Sequence, residues 1–172
     1  MGAVDTDSAG DDSASLDEQS GDGAVGSALF STLGRASFLL DAVQTSCLAP
    51  FELNFVDYSA LRILDRAGEP YQLSPSRMAE VLVRTTGGMT RVVDRLETRG
   101  LVERGRGGPD RRVVLVGLTD RGLQVAREAR DAYHARRAEV LTGLSGTELD
   151  QIESSLLALV TALERDRTQH TR

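Results

Sequence analysis

The sequence contains no lysine, and all 20 of its basic residues are arginine. A Walker phosphate loop and a Schiff-base enzyme both require a lysine side chain, so these two classes are excluded. The chain also has no tryptophan and a single cysteine, Cys47, which excludes a disulfide within the chain. One cysteine and two histidines cannot supply a structural zinc site of the usual Cys/His kind. We therefore expect a protein without a metal or a cofactor.

Long apolar runs are absent as well. No stretch of about 18 apolar residues occurs, so we expect no transmembrane helix and no membrane partner. The first residues lack the basic, apolar and small-residue pattern of a signal peptide, which makes the cytoplasm the expected location. Residues 143–147 begin like a nucleophile elbow but end in Thr147 instead of glycine, and Ser145 fits a helix cap better. We therefore predict that the protein is not an enzyme.

Charge is distributed unevenly along the 172 residues, whose net charge is −6. Residues 1–22 contain seven acidic residues, no basic residue and few large aliphatic ones, which predicts a disordered acidic tail. Residues 77–112 contain nine arginines and five acidic residues and so form a basic segment. A solvated tail is the simple interpretation. The alternative is a tail that folds back on the basic segment and competes with its partner.

Apolar residues recur every three or four positions through most of the chain after residue 22, the pattern of amphipathic helices. Ser74 before Pro75, Thr119, and Ser145 with Glu148 are typical helix starts. The predicted helices cover residues 25–48, 55–67, 74–82, a segment from the turn at 83–86 to about Thr98, 119–141 and 145–165. The third is expected to bury Met78, Val81 and Leu82, and the fourth Met89, Val92, Val93 and Leu96.

The periodicity changes after Gly100. Residues 101–104 and 113–116 are short β-type runs, and residues 105–112 between them are rich in glycine and arginine, which predicts a hairpin with a basic tip. A short capped helix, a tight turn, a helix with a basic outer face and a hairpin together predict a winged helix-turn-helix. The expected fold class is mainly α with a small β-hairpin wing and flanking dimerisation helices. Because such a helix fits the major groove, we expect double-stranded DNA as the partner.

The stretch from Leu73 to Gly122 resembles the MarR family of bacterial transcription regulators. The resemblance is carried by VVDRLETRGLVER, followed by DRRVVLVGLTDRG, and it covers about residues 54–126. This pattern is far more specific than a helix-turn-helix alone. It implies a homodimer whose interface is formed by the first helix and the last two, and a ligand-responsive regulator, most often a repressor. It also implies that Asp110 braces the wing and that Arg112 enters the minor groove.

Candidate DNA contacts come from the third helix, the turn after it, the outer face of the fourth helix and the hairpin tip. We expect the first turn of the fourth helix to face base edges, with Gly87 and Gly88 allowing close approach, and Arg95 to meet a phosphate. Arginines at the hairpin tip suit the negative potential of the minor groove. The full set is Ser74, Ser76, Arg84, Thr85, Thr86, Gly87, Gly88, Thr90, Arg91, Arg95, Arg106, Asp110, Arg111 and Arg112.

The first and last helices carry apolar stripes at near-heptad spacing, which favours packing against a second chain over packing within one chain only. The predicted organisation is a disordered acidic tail at 1–22, an N-terminal dimerisation helix at 23–50, a winged helix-turn-helix domain at 51–119 and C-terminal dimerisation helices at 120–172. A two-fold dimer predicts a pseudo-palindromic operator with half-site centres about 10 bp apart.

The family resemblance also implies a small aromatic or anionic effector that binds between the dimer helices and the DNA-binding lobe. An arginine can pair with a carboxylate while aromatic side chains cover a ring. The candidate residues are Arg35, Phe38, Phe51, Phe55, Tyr58, Arg62 and Tyr133. Cys47 is either a buried, inert thiol or an oxidant sensor. Two alternatives therefore stay open: a cysteine-based oxidant-sensing regulator, and a winged-helix protein-interaction module that does not bind DNA.

Overall fold

The computed structural model describes residues 12–83, 85–106 and 114–170. They belong to two compact units, one that ends at Ser46 and one that begins at Cys47. The described elements are mainly helices with one small antiparallel sheet, which confirms the predicted fold class. None of the described helices is both long enough and apolar enough to span a bilayer.

The first unit is built on helix α1, which runs from Asp12 to Leu48. It begins well before the predicted start at residue 25, and the disorder predicted for residues 1–22 stays a prediction. The segment from 12 to 22 contains no proline, which would end a helix. Extending a helix also costs less than starting one. Composition alone does not register this second effect. Residues 1–11 of the predicted tail lie outside the described residues.

The second unit begins with the last two residues of α1, Cys47 and Leu48, and contains all the other elements, of which the first is a 3-10 turn, Ala49–Phe51. The predicted helices of this part are confirmed with bounds that shift by a few residues, most at the end of the last helix. Its elements are α2 (Phe55–Arg66), β1 (Gln72–Leu73), α3 (Pro75–Val81), α4 (Thr86–Thr98), β2 (Val102–Arg106), β3 (Val114–Leu118), α5 (Asp120–Leu141) and α6 (Gly146–His170).

The sheet has the strand order β1–β3–β2, and both pairings are antiparallel. The predicted hairpin is confirmed, although its ladder pairs residues 102–106 with 114–118 and so lies slightly further along the chain than expected. The third strand, β1, was not predicted. It consists of Gln72 and Leu73, which pair with Gly117 and Val116, and two residues are too few to show an alternating pattern.

The core of the second unit lies between α2, α3, α4, the sheet and the start of α5. The predicted inner face of α4 is confirmed, since Met89, Val92, Val93 and Leu96 are all buried. In α3, Met78 is buried as predicted, but Val81 is exposed. Val81 is the last residue of the helix, and Leu82, the third residue predicted to be buried, is partly buried against the core.

The turn between α3 and α4 contains Val83 with φ of 53°, in the left-handed region of backbone conformation. A β-branched side chain is strained there because its Cβ approaches the following carbonyl oxygen. Glycine is the residue that adopts this conformation without strain.

Hydroxyl side chains cap the helices where the sequence predicts them. Ser74 accepts a hydrogen bond from the Arg77 N–H at 3.3 Å. The backbone N–H of Ser145 donates to Glu148 Oε2 at 2.8 Å, and the Glu148 N–H donates to Ser145 Oγ at 3.3 Å. Hydrogen bonds from Ser145 lower the pKa of the Glu148 carboxyl. Ser145 therefore starts α6 as half of a capping box.

The end of the hairpin and the start of α5 are locked together at Gly122. The Thr119 hydroxyl donates to the Gly100 carbonyl at 2.8 Å and accepts from the Gly122 N–H at 2.9 Å. The Thr119 N–H donates to the Leu101 carbonyl at 3.2 Å. A Cβ atom on Gly122 would lie 1.8 Å from that same carbonyl oxygen. Only glycine lets α5 begin this close to the strand.

Candidate nucleic-acid interface

Helix α4 presents a polar face to solvent while its opposite face fills the core. Gly87, Thr90, Arg91 and Asp94 are exposed along this outer face. The helix start is defined by Thr85, whose side chain accepts the Gly88 N–H at 3.1 Å. Helix, cap and buried face together make a rigid ridge. Its small first turn, hydroxyl and guanidinium suit entry into a major groove and hydrogen bonding to base edges.

The two adjacent glycines of this turn differ in their surroundings. A Cβ atom on Gly88 would lie 3.1 Å from Thr85 Oγ1, the atom that caps the helix. A Cβ atom on Gly87 would meet nothing within 4 Å. The packing of the described chain therefore accounts for glycine at position 88 but not at position 87.

The other predicted DNA contacts lie on both sides of α4 along the chain. Ser76 is exposed on α3, and the Ser74 side chain caps that helix. The backbone of Thr86 and Arg106 is described, as the first residue of α4 and the last residue of β2. Arg84, Asp110, Arg111 and Arg112 lie outside the described residues.

Arg95 is on the outer side of α4, as predicted, but its guanidinium binds Asp57 of α2. Its Nε donates to Asp57 Oδ1 at 3.1 Å and to Oδ2 at 2.9 Å, and Nη2 also donates to Oδ1. The side chain of Asp57 is only 2% exposed. The hydrogen bond to Asp57 raises the pKa of Arg95. This two-pronged contact attaches α4 to α2, a role of Arg95 that the sequence did not reveal.

Arg99 makes a second attachment at the C-terminal end of α4. Its Nη1 donates to the Glu52 carbonyl at 2.6 Å, and its Nη2 donates to the Phe51 carbonyl at 2.8 Å. Both carbonyls belong to the chain that leads into α2. Phe51, a predicted effector contact, packs partly buried against the core. Helix α4 is therefore held by two guanidinium groups, with Arg95 bound to α2 and Arg99 to the segment before it.

Three of the predicted effector residues form one aromatic cluster. The ring centroids of Tyr58 and Tyr133 are 5.4 Å apart, and Phe55 lies 6.2 Å from each. Burial raises the pKa of the Tyr58 hydroxyl, while the nearby Arg62 acts in the opposite direction. Arg62 also binds Asp65 at 2.8 Å. An aromatic surface with an adjoining guanidinium is suited to a ring that carries negative charge.

The remaining predicted effector residues, Arg35 and Phe38, are exposed on α1 in the first unit. Cys47 lies at the end of that helix, is partly buried and is a free thiol. The structure thus brings together Phe55, Tyr58, Arg62 and Tyr133 from the predicted set.

These elements define a winged-helix protein with a recognition helix, and the comparisons with known proteins agree. The family model described as MarR family matches residues 51–113. The chain is 29% identical over 125 residues to the HTH-type transcriptional regulator PecS of Dickeya dadantii, covering 73% of this chain and 75% of PecS. It is 32% identical over 97 residues to the transcriptional repressor MprA of Escherichia coli, covering 56% of this chain and about half of MprA, 55%.

Solved structures show the same fold. A cysteine-to-serine mutant of MarR from Escherichia coli in complex with operator DNA matches with a TM-score of 0.65 and 26% identity, over 74% of this chain and 93% of that one. The organohalide-sensing regulator RdhR in its 2,4-dichlorophenol-bound form matches with a TM-score of 0.73 and 15% identity, over 80% of each chain. The chain is therefore similar to MarR-family transcriptional regulators both in its winged-helix segment and in its fold.

Proposed function

We propose that this protein is a homodimeric, effector-responsive repressor that acts in the cytoplasm on a pseudo-palindromic operator. The exposed face of α4 is the observation that carries the proposal. It is polar and exposed at Gly87, Thr90 and Arg91, and the opposite face of the helix is apolar and buried. The related MarR is solved in complex with operator DNA, which supports DNA as the partner of this protein.

The apolar surface of α6 supports the dimer. Five of its large apolar side chains are exposed, and four of them line an open, mainly apolar groove of about 530 Å³ between α5 and α6. A surface of this kind is unusual on a monomer and is expected to be covered. We assign it to a second copy of the chain, which brings two recognition helices to one DNA duplex. The exposed residues are Ile152, Leu156, Leu157, Val160 and Leu163.

The aromatic cluster supports an effector. Phe55 is exposed, the neighbouring Tyr58 is buried, and Arg62 hydrogen-bonds to the Tyr58 side chain. The 2,4-dichlorophenol bound by the related RdhR is a ring of similar chemistry. We propose a small aromatic phenolate or carboxylate as the effector. It acts by binding the DNA-free conformation more tightly than the DNA-bound one.

DNA binding is tested by selection followed by titration. The full chain selects duplexes from a random-sequence library, and fluorescence anisotropy then compares the selected duplex with its scrambled version across a salt series. We expect nanomolar binding to the selected duplex and a steep fall in affinity with salt, since each phosphate contact adds about 0.9 to the logarithmic slope. If no sequence is enriched and the affinity for DNA does not change with salt, the protein is instead a protein-interaction module.

Replacing Arg91 by alanine should weaken binding to the selected duplex by about 1–3 kcal/mol, because Arg91 is the exposed guanidinium on the outer face of α4. If Arg91 contacts a base, the variant also tolerates substitutions at one position of each half-site. Anisotropy with singly substituted duplexes measures both effects. Arg136→Ala on α5 is the control, since Arg136 pairs with Glu139 at 2.8 Å on another helix. If the two variants bind the selected duplex equally well, Arg91 is not part of the DNA interface.

Replacing Gly87 by alanine should change stability and DNA binding in opposite directions. Alanine is the better helix former by up to about 1 kcal/mol, and a Cβ atom here meets nothing, so thermal stability should rise. Affinity for the selected duplex should fall, because the added methyl group holds the helix away from the groove. Gly146→Ala, in the first turn of α6 and equally unobstructed, should raise stability without weakening DNA binding. Tighter DNA binding by Gly87→Ala would show that the helix does not approach DNA there.

A further inference from the structure

An ion cluster joins the recognition helix to the first strand of the wing. Arg104 of β2 donates from Nη2 to Asp94 Oδ1 at 2.5 Å and from Nη1 to Glu97 Oε2. The backbone N–H of Arg104 donates to the other oxygen of Glu97, Oε1, at 3.3 Å. One residue of the strand thus uses both its side chain and its main chain to bind two successive turns of α4.

The cluster lies at the surface and is partly shielded from solvent. The side chain of Arg104 is 32% exposed, that of Glu97 38% and that of Asp94 57%. The hydrogen bond to Asp94 is the main reason that the pKa of Arg104 is raised. The planar guanidinium spans two carboxylates at once, a geometry that the single ammonium of a lysine cannot reproduce. The Arg104 side chain is therefore directed to two acidic residues of its own chain.

The position of the cluster allows it to orient the wing relative to α4. Arg104 is the central residue of β2 and pairs with Val116 of β3, and β2 ends two residues further on at Arg106, where the tip begins. Because the Arg104 main chain is hydrogen-bonded to Glu97, the direction of β2 is set relative to the axis of α4. A fixed angle between these two elements is what allows both to meet one duplex in register.

We propose that Arg104 is a positioning residue of the wing, and that Asp94 and Glu97 are its anchors on the recognition helix. This inference rests on the proposed DNA-binding function. It explains why two acidic residues stand on or beside a helix face that approaches a polyanion, where unpaired carboxylates weaken binding to any sequence. Their contribution is to specificity, because a wing held at one angle fits the operator and its flanks but gains nothing on other DNA.

The proposal makes an unusual prediction for the double variant Asp94→Asn, Glu97→Gln. This change removes two negative charges from the DNA-binding side, so affinity for a scrambled duplex should rise. Affinity for the selected duplex should fall nonetheless, because the wing is no longer held. The ratio of the two affinities is expected to fall at least about tenfold. Arg104→Gln breaks the same cluster from the other side and should lower the ratio as well.

The experiment uses the full chain, the duplex selected by the wild-type protein and its scrambled version, with anisotropy at one salt concentration. Hydroxyl-radical footprints supply a second readout, in which protection should be lost at the flanks of the half-sites and kept at their centres. Glu103→Gln is the matched control: it removes an exposed acid from the same strand, one residue from Arg104, and leaves the cluster intact. It should raise both affinities in proportion. Asp94→Asn alone keeps the bond to Glu97 and provides a milder variant should the double variant fold poorly.

Three outcomes separate the possibilities. A lower affinity ratio with a shortened footprint supports the positioning role. Higher affinity for both duplexes with an unchanged footprint overturns it, since the acids then act only as surface charge. If the wild-type protein selects no sequence at all, the proposed function fails and the positioning role fails with it.

Discussion

Replacing Gly122 with alanine should lower the free energy of unfolding by about 3 kcal/mol. The new Cβ atom would lie 1.8 Å from the carbonyl oxygen of Leu101, which is main chain and cannot rotate away. Leu101 is fully buried, and its carbonyl also accepts the Thr119 N–H. The start of α5 must therefore move away from the strand, which breaks the Thr119 contacts. Urea denaturation followed by circular dichroism measures the loss, which corresponds to a fall in Tm of roughly 6–12 °C.

Gly143→Ala is the matched control for this substitution. Gly143 follows α5 at its other end, and a Cβ atom there meets nothing within 4 Å. We expect its free energy of unfolding to stay within about 0.5 kcal/mol of the wild-type value. If Gly122→Ala unfolds at the same urea concentration as Gly143→Ala, the close approach of α5 to the strand is not a constraint on this fold.

Replacing Arg95 with alanine should also cost about 3 kcal/mol of stability. The substitution leaves the carboxylate of Asp57, only 2% exposed, without the guanidinium that binds both of its oxygens. A buried charge without a partner is far more costly than the pair was favourable. The variant should also bind the selected duplex more weakly, because one attachment of the recognition helix to α2 is lost. Thermal unfolding and anisotropy measure the two effects.

A second substitution distinguishes an uncompensated charge from simple loss of packing. Adding Asp57→Asn to the Arg95→Ala variant removes the buried charge and should restore at least about 1 kcal/mol. If the double variant instead loses as much stability as the two single variants added together, the ion pair does not couple α2 to α4. Arg77→Ala, which removes one partner of an exposed pair with Glu80, should change stability little.

The features that the sequence predicted well are those that depend on neighbouring residues. The buried face of α4 follows from apolar residues at a helical period, and the starts of α3 and α6 follow from hydroxyl residues placed directly before them. The outward direction of Arg91 follows from the same helical geometry. The MarR-family pattern of residues 92–122 added the order of the elements and the identity of the fold.

The features that were missed depend on residues far apart in the chain. Asp57 and Arg95 are 38 positions apart, and no periodic pattern links a carboxylate in α2 to an arginine in α4. The helical wheel placed Arg95 on the outer face correctly, but it could not show that α2 supplies a partner there. Strand β1 exists because β3 offers it a hydrogen-bonding edge, and not because Gln72 and Leu73 favour a strand. The early start of α1 reflects helix extension, which composition does not capture.

The left-handed Val83 between α3 and α4 bears on how this protein can evolve. A β-branched residue in that conformation keeps the helix-turn-helix below the stability that its topology allows. Substitutions on the outer face of α4 that alter its proposed DNA contacts draw on the stability of the fold, and a protein close to its folding threshold accumulates few of them. A chain whose turn is already relaxed holds that stability in reserve. This chain gains the same reserve in one step, by a single base change from a valine to a glycine codon at position 83.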